Sequence, residues 1–258
     1  MTTQASQIKF GIEIECYLPI ANAIAAGGYH DGLQINLAPR GWNAQRDGSL
    51  LAPQGYQAVE IVSPPVAGED GLAQIWYMVE TINELGGIVN PSCGLHVHVD
   101  ANSLSGFQVL AVREAFVKYE RAFYGLSGRM AGWRWVNTYS KSSYRSDPRD
   151  RYQGCNITNY TNPTPKRMRE GARTIEFRVW AGTLNPDEIV TAVYMAVALV
   201  ADVARTENVP AVRYNTSTTA RKAFVKNVWN NPDNLIIPNE SIAELVDTLI
   251  TQCDQAGM

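Results

Sequence analysis

Several large classes of protein are marked by features this chain does not have. No run of 18 apolar residues occurs; the most apolar stretch, residues 189–203, is interrupted by Tyr194 and Asp202, so no membrane span is expected. The first nine residues are polar and lack the apolar centre of a secretory signal. Cysteine is scarce. Cys16, Cys93, Cys155 and Cys253 are far apart with no Cys-x-x-Cys spacing, and a chain of 258 residues buries enough surface to need no disulfide staple. Reduced thiols in a cytoplasmic protein are therefore expected, and the Asn156-Ile-Thr158 sequon reads as a chance match. There is no Gly-x-x-x-x-Gly-Lys phosphate loop, no Gly/Ser linker and no internal repeat, so residues 1–258 are expected to form a single domain. Excess charge is missing as well: 22 Lys and Arg against 25 Asp and Glu leave a net −3. That balance is an average over unlike parts. Residues 129–178 hold eleven basic and four acidic residues, net +7, and the remainder carries −10.

What the chain does contain is alternation. Four segments have the period of two that marks half-buried strands. In Phe10-Gly-Ile-Glu-Ile-Glu-Cys-Tyr-Leu18 the residues Phe10, Ile12, Ile14 and Cys16 share one face, with Glu13 and Glu15 on the other. Leu95, Val97 and Val99 oppose His96, His98 and Asp100; Ile175, Phe177 and Val179 oppose Glu176 and Arg178; Val59-Glu60-Ile61 repeats the pattern in miniature. Helical spacing predicts helices over 70–85 (Leu72, Ile75, Trp76, Val79, Ile82, Leu85, ending at Gly86-Gly87), over 104–124 (Leu104, Phe107, Leu110, Ala111, Phe116, Tyr119, Phe123) and over 218–229. A cap, a proline and two acids at Asn185-Pro-Asp-Glu188 open a helix over 186–204, and the capping box Ser241-Ile-Ala-Glu244 opens a last one to about Cys253. Strands with one apolar and one charged face belong to an antiparallel sheet covered on one side. The expected fold is thus α+β, a curved antiparallel sheet backed by helices, with residues 127–172 as a long irregular loop or lid.

The charged face carries the chemistry. Glu13, Glu15, Glu60, His96, His98, Asp100 and Glu176 come from separate strands yet share the polar side. Carboxylates crowded together repel one another unless a cation lies among them, and their surplus over imidazole favours magnesium or manganese over zinc. Arg178 on the same face offers a planar donor fork to phosphate or carboxylate. Each piece also has a plainer reading: Glu-x-Glu as a solvated face, Glu-x-Arg as a cross-strand ion pair. Only their coincidence on one face argues for a site. Cys93 beside Gly94 invites a nucleophile reading, but no basic activator stands near it in sequence and a structural thiol is expected.

Phe10-Gly-Ile-Glu-Ile-Glu15, Asp47-Gly-Ser-Leu50, Val59-Glu-Ile-Val-Ser-Pro-Pro65, Cys93-Gly-Leu-His-Val-His-Val-Asp100 and Arg173-Thr-Ile-Glu-Phe-Arg178, in this order, resemble the amidoligase family, carboxylate–amine ligases related to glutamine synthetase and glutamate–cysteine ligase. The resemblance spans about residues 10 to 205 and implies a glutamine synthetase-like catalytic domain. It implies ATP-dependent amide or isopeptide formation through an acyl phosphate, with ATP and Mg2+ (or Mn2+) bound. By position it implies Glu13, Glu15 and Glu176 as metal ligands, with Glu60 and His98 as further ligands or partners, and His96 beside the nucleotide. Arg173 and Arg178 become phosphate contacts, and Asp47 and Ser49 hold the amine or carboxylate substrate. A small-molecule or side-chain carboxylate, an amine, a nucleotide or nucleic-acid acceptor and a homodimer are the partners it suggests.

Two other classes stay open at this point. One is a metal-dependent hydrolase using His96, His98 and the glutamates to activate water; the other is a non-catalytic binding module on the same fold. Trp133, Arg134, Trp135, Tyr139, Lys141, Tyr144, Arg145, Arg149, Arg151, Tyr152 and Tyr160 interleave basic and aromatic groups. They predict either a nucleotide-facing lid or a loop anchored by its rings with solvated arginines.

Overall fold

The computed structural model describes residues 4–22, 24–25, 33–34, 41–125, 140–144, 146–214 and 216–237. The helix expected over 241–253 lies outside these residues, as do Trp133, Arg134, Trp135, Tyr139 and Arg145.

Alternation works out as anticipated at the centre of the sheet. β1 (Phe10–Pro19) buries Phe10, Ile12, Ile14 and Cys16 almost completely on the helix side. It pairs antiparallel with β5 (Tyr56–Val62) on one flank and β6 (Gly94–Asp100) on the other. β8 (Thr174–Ala181) adds to β6. Two short edge strands, β4 (Asn43–Arg46) and β7 (Cys155–Asn156), complete an open antiparallel sheet of six strands in the order β4-β5-β1-β6-β8-β7. β2 (Ile24–Ala25) and β3 (Leu33–Gln34) form a separate small ribbon.

Helices α1 (Gly68–Glu84), α2 (Gly106–Gly125) and α5 (Pro186–Thr206) supply the apolar layer behind the sheet. α1 stops where Gly86 takes a positive φ of 77°. Asn185 caps α5 by accepting a hydrogen bond from the Asp187 amide at 3.0 Å. The sequence underrates α5. At 21 residues it is long and apolar enough to cross a bilayer, yet most of it is buried inside the protein, as befits a central core helix. α6 (Ser217–Phe224) continues into a wider helical turn at Val225–Trp229. It packs on α2 through rings: Phe224 meets Tyr119 at 5.4 Å and Phe123 at 5.3 Å, and Phe123 stacks on Phe177 of β8 at 5.8 Å.

Three helix positions depart from the periodicity. Trp76 on α1 and Phe107 and Leu110 on α2 are exposed, because the buried stripe runs through Met78 and Val79 on α1 and through Val109, Val112, Ala115 and Phe116 on α2. The 127–172 stretch is less irregular than its composition suggests: its described part holds β7, α3 (Thr158–Thr161) and α4 (Pro165–Glu170). These are too short to leave a periodic signal.

One irregularity shapes the sheet. Leu95 faces Trp180 and Val97 faces Phe177, so three steps of β8 lie against two of β6. Strict alternation would point Trp180 the same way as Glu176 and Arg178. The bulge instead turns Trp180 into the core, against Phe123 at 5.9 Å and Phe177 at 6.4 Å.

Candidate functional site

With one face of β1 committed to the core, its odd residues project to the other. Cross-strand partners share a face, and the registers set Glu13 opposite His96, Glu15 opposite Glu60, and His98 opposite Glu176. Four strands thus contribute to one cluster. His96 is its hub. Its Nδ1 lies 3.1 Å from Glu13 Oε2 and 3.8 Å from Glu176 Oε1, while its Nε2 lies 3.7 Å from Glu15 Oε1. His98 Nε2 reaches the other Glu13 oxygen at 3.0 Å.

Two triads have ligand atoms lying within 4.8 Å of one another: Glu13, His96 and Glu176, and Glu15, Glu60 and His96. Each offers two carboxylates and an imidazole, a donor set suited to a hard divalent cation that also keeps water or phosphate oxygens. Surrounding groups hold the carboxylates in place. Glu15 Oε2 accepts from the Gly94 amide at 2.6 Å, Glu176 Oε2 from Asn156 Nδ2 at 2.7 Å, and Glu60 Oε2 from Gln45 Nε2. Arg178 pairs with the remaining Glu176 oxygen.

The electrostatics divide the cluster. Burial alone would raise the Glu13 and Glu176 carboxyls, but His98 beside both, with hydrogen bonds from both imidazoles at Glu13 and the Arg178 charge at Glu176, keeps them below their usual range. His98 is raised: burial disfavours its charge, and Glu13 and Glu176 outweigh that. At Glu60 the Gln45 hydrogen bond and the nearby His96 are too weak to offset burial. Burial and the nearby Glu13 push it up to about 7. A bound divalent ion is what would lower it, so the charge balance and the donor geometry fit a metal at the same place.

The cluster floors a cavity of about 1080 Å³. Toward β4 and β5 its wall carries Gln45, Asp47, Ser49, Leu50 and Ser92; toward β7 and β8 it carries Asn156, Arg149, Arg151, Tyr152 and Arg167. Asp47 is buried and folds its own turn, accepting from the Ser49 amide at 2.7 Å.

Glu13, Glu15, Glu60, His96, His98, Glu176, Arg178, Asp47 and Ser49 all line this cavity. Arg173 does not. It precedes β8 with the parity of the core-facing Ile175, is exposed, and stacks on Tyr160 at 5.3 Å. His96, expected beside the nucleotide, belongs to both candidate metal triads, whereas His98 lies outside them and partners Glu13. Asp100 lies at the strand end and accepts from Asn102 at 2.6 Å, away from the cavity wall. Arg149, Arg151 and Tyr152 reach the wall as the basic–aromatic spacing suggested. Arg167, Gln45 and Asn156 carry no sequence signal, since they stand on short elements without periodicity. Cys93 is buried, and Cys16 and Cys155, also buried, are free thiols raised well above their ordinary range by burial.

Residues 6–128 match the family model described as "Putative amidoligase enzyme". The matched span contains Glu13, Glu15, Asp47, Glu60, His96 and His98; Glu176 and Arg178 lie beyond it. Among solved structures, the chain is similar to a bifunctional glutathione synthetase from Pasteurella multocida, with a TM-score of 0.53 and 10% identity over 97% of this chain and 48% of that one. The chain therefore spans about half the length of that protein, and at this identity the likeness is one of fold. No curated protein matches the sequence.

Proposed function

We propose that this chain, an amidoligase-family sequence over residues 6–128, is an ATP-dependent carboxylate–amine ligase that forms an amide or isopeptide bond through an acyl phosphate. The observation that carries the reading is the pair of acidic triads sharing His96 on the floor of a cavity whose β7–β8 wall is basic. A magnesium–triphosphate substrate calls for that juxtaposition. It needs carboxylates where the metal lies and guanidinium groups where phosphate oxygens emerge.

In this reading a carboxylate oxygen of one substrate attacks the γ-phosphorus, and ADP leaves. The amine then attacks the acyl carbon, phosphate departs with the C–O bond electrons, and the amine loses a proton. Phosphorylation matters because a bare carboxylate would have to expel oxide. Glu13, Glu15, Glu60, His96 and Glu176 would hold Mg2+ or Mn2+, which neutralises charge on the phosphates. His98 and Arg178 keep Glu13 and Glu176 ionised. Arg149, Arg151 and Arg167 face the phosphates from the wall, and Asp47 with Ser49 faces the amine at the opposite end. The acceptor is a small-molecule or side-chain carboxylate.

ADP release measured with Mg2+, ATP and pooled amino acids and polyamines tests the proposal, with hydroxylamine added to trap the acyl phosphate as a hydroxamate. ADP formation that requires a carboxylate, together with hydroxamate, is expected. Failure of ATP to bind or to shift the melting temperature with Mg2+ or Mn2+, alongside zinc-dependent hydrolysis without nucleotide, overturns it.

A further inference from the structure

The arginines on the cavity wall sit on a segment whose support lies elsewhere. Residues 141–144 and 146–154 form a strap closed at its base, where the Lys141 amide donates to Tyr152 O at 2.6 Å and the Gly154 amide to Lys141 O at 2.8 Å. Arg149, Arg151 and Tyr152 stand on its cavity side. From the other side two charged residues of α2, seven positions apart and so on one helix face, enter the strap and are buried there.

Arg113 donates to Ser143 O and Ser146 O, both at 2.9 Å, and to Gln153 Oε1 at 3.0 Å. Glu120 accepts from the Ser143 amide at 2.6 Å, from Ser142 Oγ at 2.8 Å and from Arg213 at 2.9 Å. Arg213 in turn lies over the Tyr144 ring at 4.1 Å. Ser143 Oγ accepts from the Cys155 amide, which ties the strap to β7 and so to the sheet that carries Glu176.

Burying a guanidinium and a carboxylate costs far more than burying leucines at the same helix positions. Neighbouring positions on α2 do take the cheaper course with Phe116, Tyr119 and Phe123. What the charged pair adds is direction: a guanidinium fork reads carbonyls and a carboxylate reads an amide, so the strap backbone has one seat on α2.

We propose that Arg113 and Glu120 are positioning residues that hold this strap so that Arg149 and Arg151 meet the polyphosphate of the substrate; this rests on the ligase reading above. Neither α2 residue touches the cavity. Their effect on anion binding passes through the strap.

Titration of inorganic triphosphate into the Mn2+-loaded full chain, followed by calorimetry, tests this, with Mn2+ affinity measured separately. Arg113→Met is expected to weaken triphosphate binding about tenfold or more, with Mn2+ affinity unchanged. Combined with Arg149→Gln and Arg151→Gln it is expected to add little, because the same contacts are already lost. Arg113→Lys keeps the buried charge without the fork and provides a folded variant should the methionine not fold; it is expected to show most of the same loss. Native-like triphosphate affinity in folded Arg113→Lys or Arg113→Met overturns the positioning role, as does full additivity with the strap arginines. If the native chain itself binds no triphosphate with Mn2+, the ligase reading falls and this proposal falls with it.

Discussion

His96 Nδ1 stands 3.1 Å from Glu13 Oε2, across a register in which the two residues face each other on adjacent central strands. Because the opposite nitrogen of the same ring faces Glu15, one imidazole serves both acidic triads. His96→Ala is therefore expected to weaken every divalent ion the cluster holds, by about tenfold or more, the effect of removing a metal partner. His98→Ala should act mainly through Glu13 and cost less. Mn2+ binding followed by electron paramagnetic resonance separates the two; equal losses would overturn the assignment of His96 as the shared ligand.

Stability of the metal-free protein should fall as pH rises from mildly acid to alkaline. Glu60 is raised from 4.5 to about 7. Above pH 4.5 the unfolded chain releases this proton while the folded chain keeps it, so stability is lost between about 4.5 and 7. His98 is raised above 6.5 in the folded state, so its contribution is complete below 6.5 and disappears as pH climbs through the folded value. The lowered Glu13 and Glu176 act at the other end: they stabilise above their ordinary range, and that is lost as pH falls through their folded values. Melting temperatures between pH 4 and 9 in chelator are expected to peak on the mildly acid side. Glu60→Gln should flatten the slope between 4.5 and 7.

Mn2+ binding should in turn release a proton near neutral pH, since Glu60 must ionise to serve as a ligand. Calorimetry at pH 6.5 in buffers of different ionisation enthalpy would measure it. A proton count of zero in the native chain would mean Glu60 is not a ligand.

Asn156→Leu removes the donor to a buried Glu176 oxygen and leaves that carboxylate short of one partner. The expected cost is roughly 1.5–3 kcal/mol, the range for hydrogen bonds to charged groups. Urea unfolding at pH 7 in chelator gives the number, and a smaller loss at pH 4, where the carboxylate protonates more readily in the variant, identifies the cause.

Gly182→Ala is a test of how closely the site is backed. A Cβ there would stand 2.4 Å from Cys93 Cβ and 3.0 Å from the Cys93 carbonyl carbon. Overpacking of this kind costs about 1–3 kcal/mol. Since Ser92 of the same loop lines the cavity, weaker substrate binding should accompany the lower melting temperature.

Much of the sheet was legible because burial on one face writes a period of two into the residues. Phe10, Ile12, Ile14 and Cys16 predict the buried side of β1, and with it the direction of Glu13 and Glu15. Which strands would be neighbours is not written locally, yet the candidate site followed, since every long strand carried its charge on the face left open. The failures have separate causes. Arg173 looks like a partner of Arg178 in sequence, but its parity is that of the core-facing Ile175, on the side away from the cavity. β4, β7 and α4 are too short to show a period, so Gln45, Asn156 and Arg167 were hidden. Arg113 and Glu120 carry no signal of burial in the sequence, and the strap laid over them makes that side of α2 an interior one.

The slipped register between β6 and β8 has a further consequence. Had the ladder run without interruption, the strand would have had to choose between a tryptophan in the core and an arginine over the cavity at the same pitch. The extra residue lets Trp180 anchor the strand behind the sheet while Arg178 stays beside Glu176 in front. Deleting Val179 would make the ladder regular and set Trp180 two positions after Phe177, on the same core side, so the bulge is needed only at the present length. Closing the bulge with the length unchanged would instead cost the protein either its aromatic anchor or the cation that keeps Glu176 ionised, although Val179 bears no charge of its own.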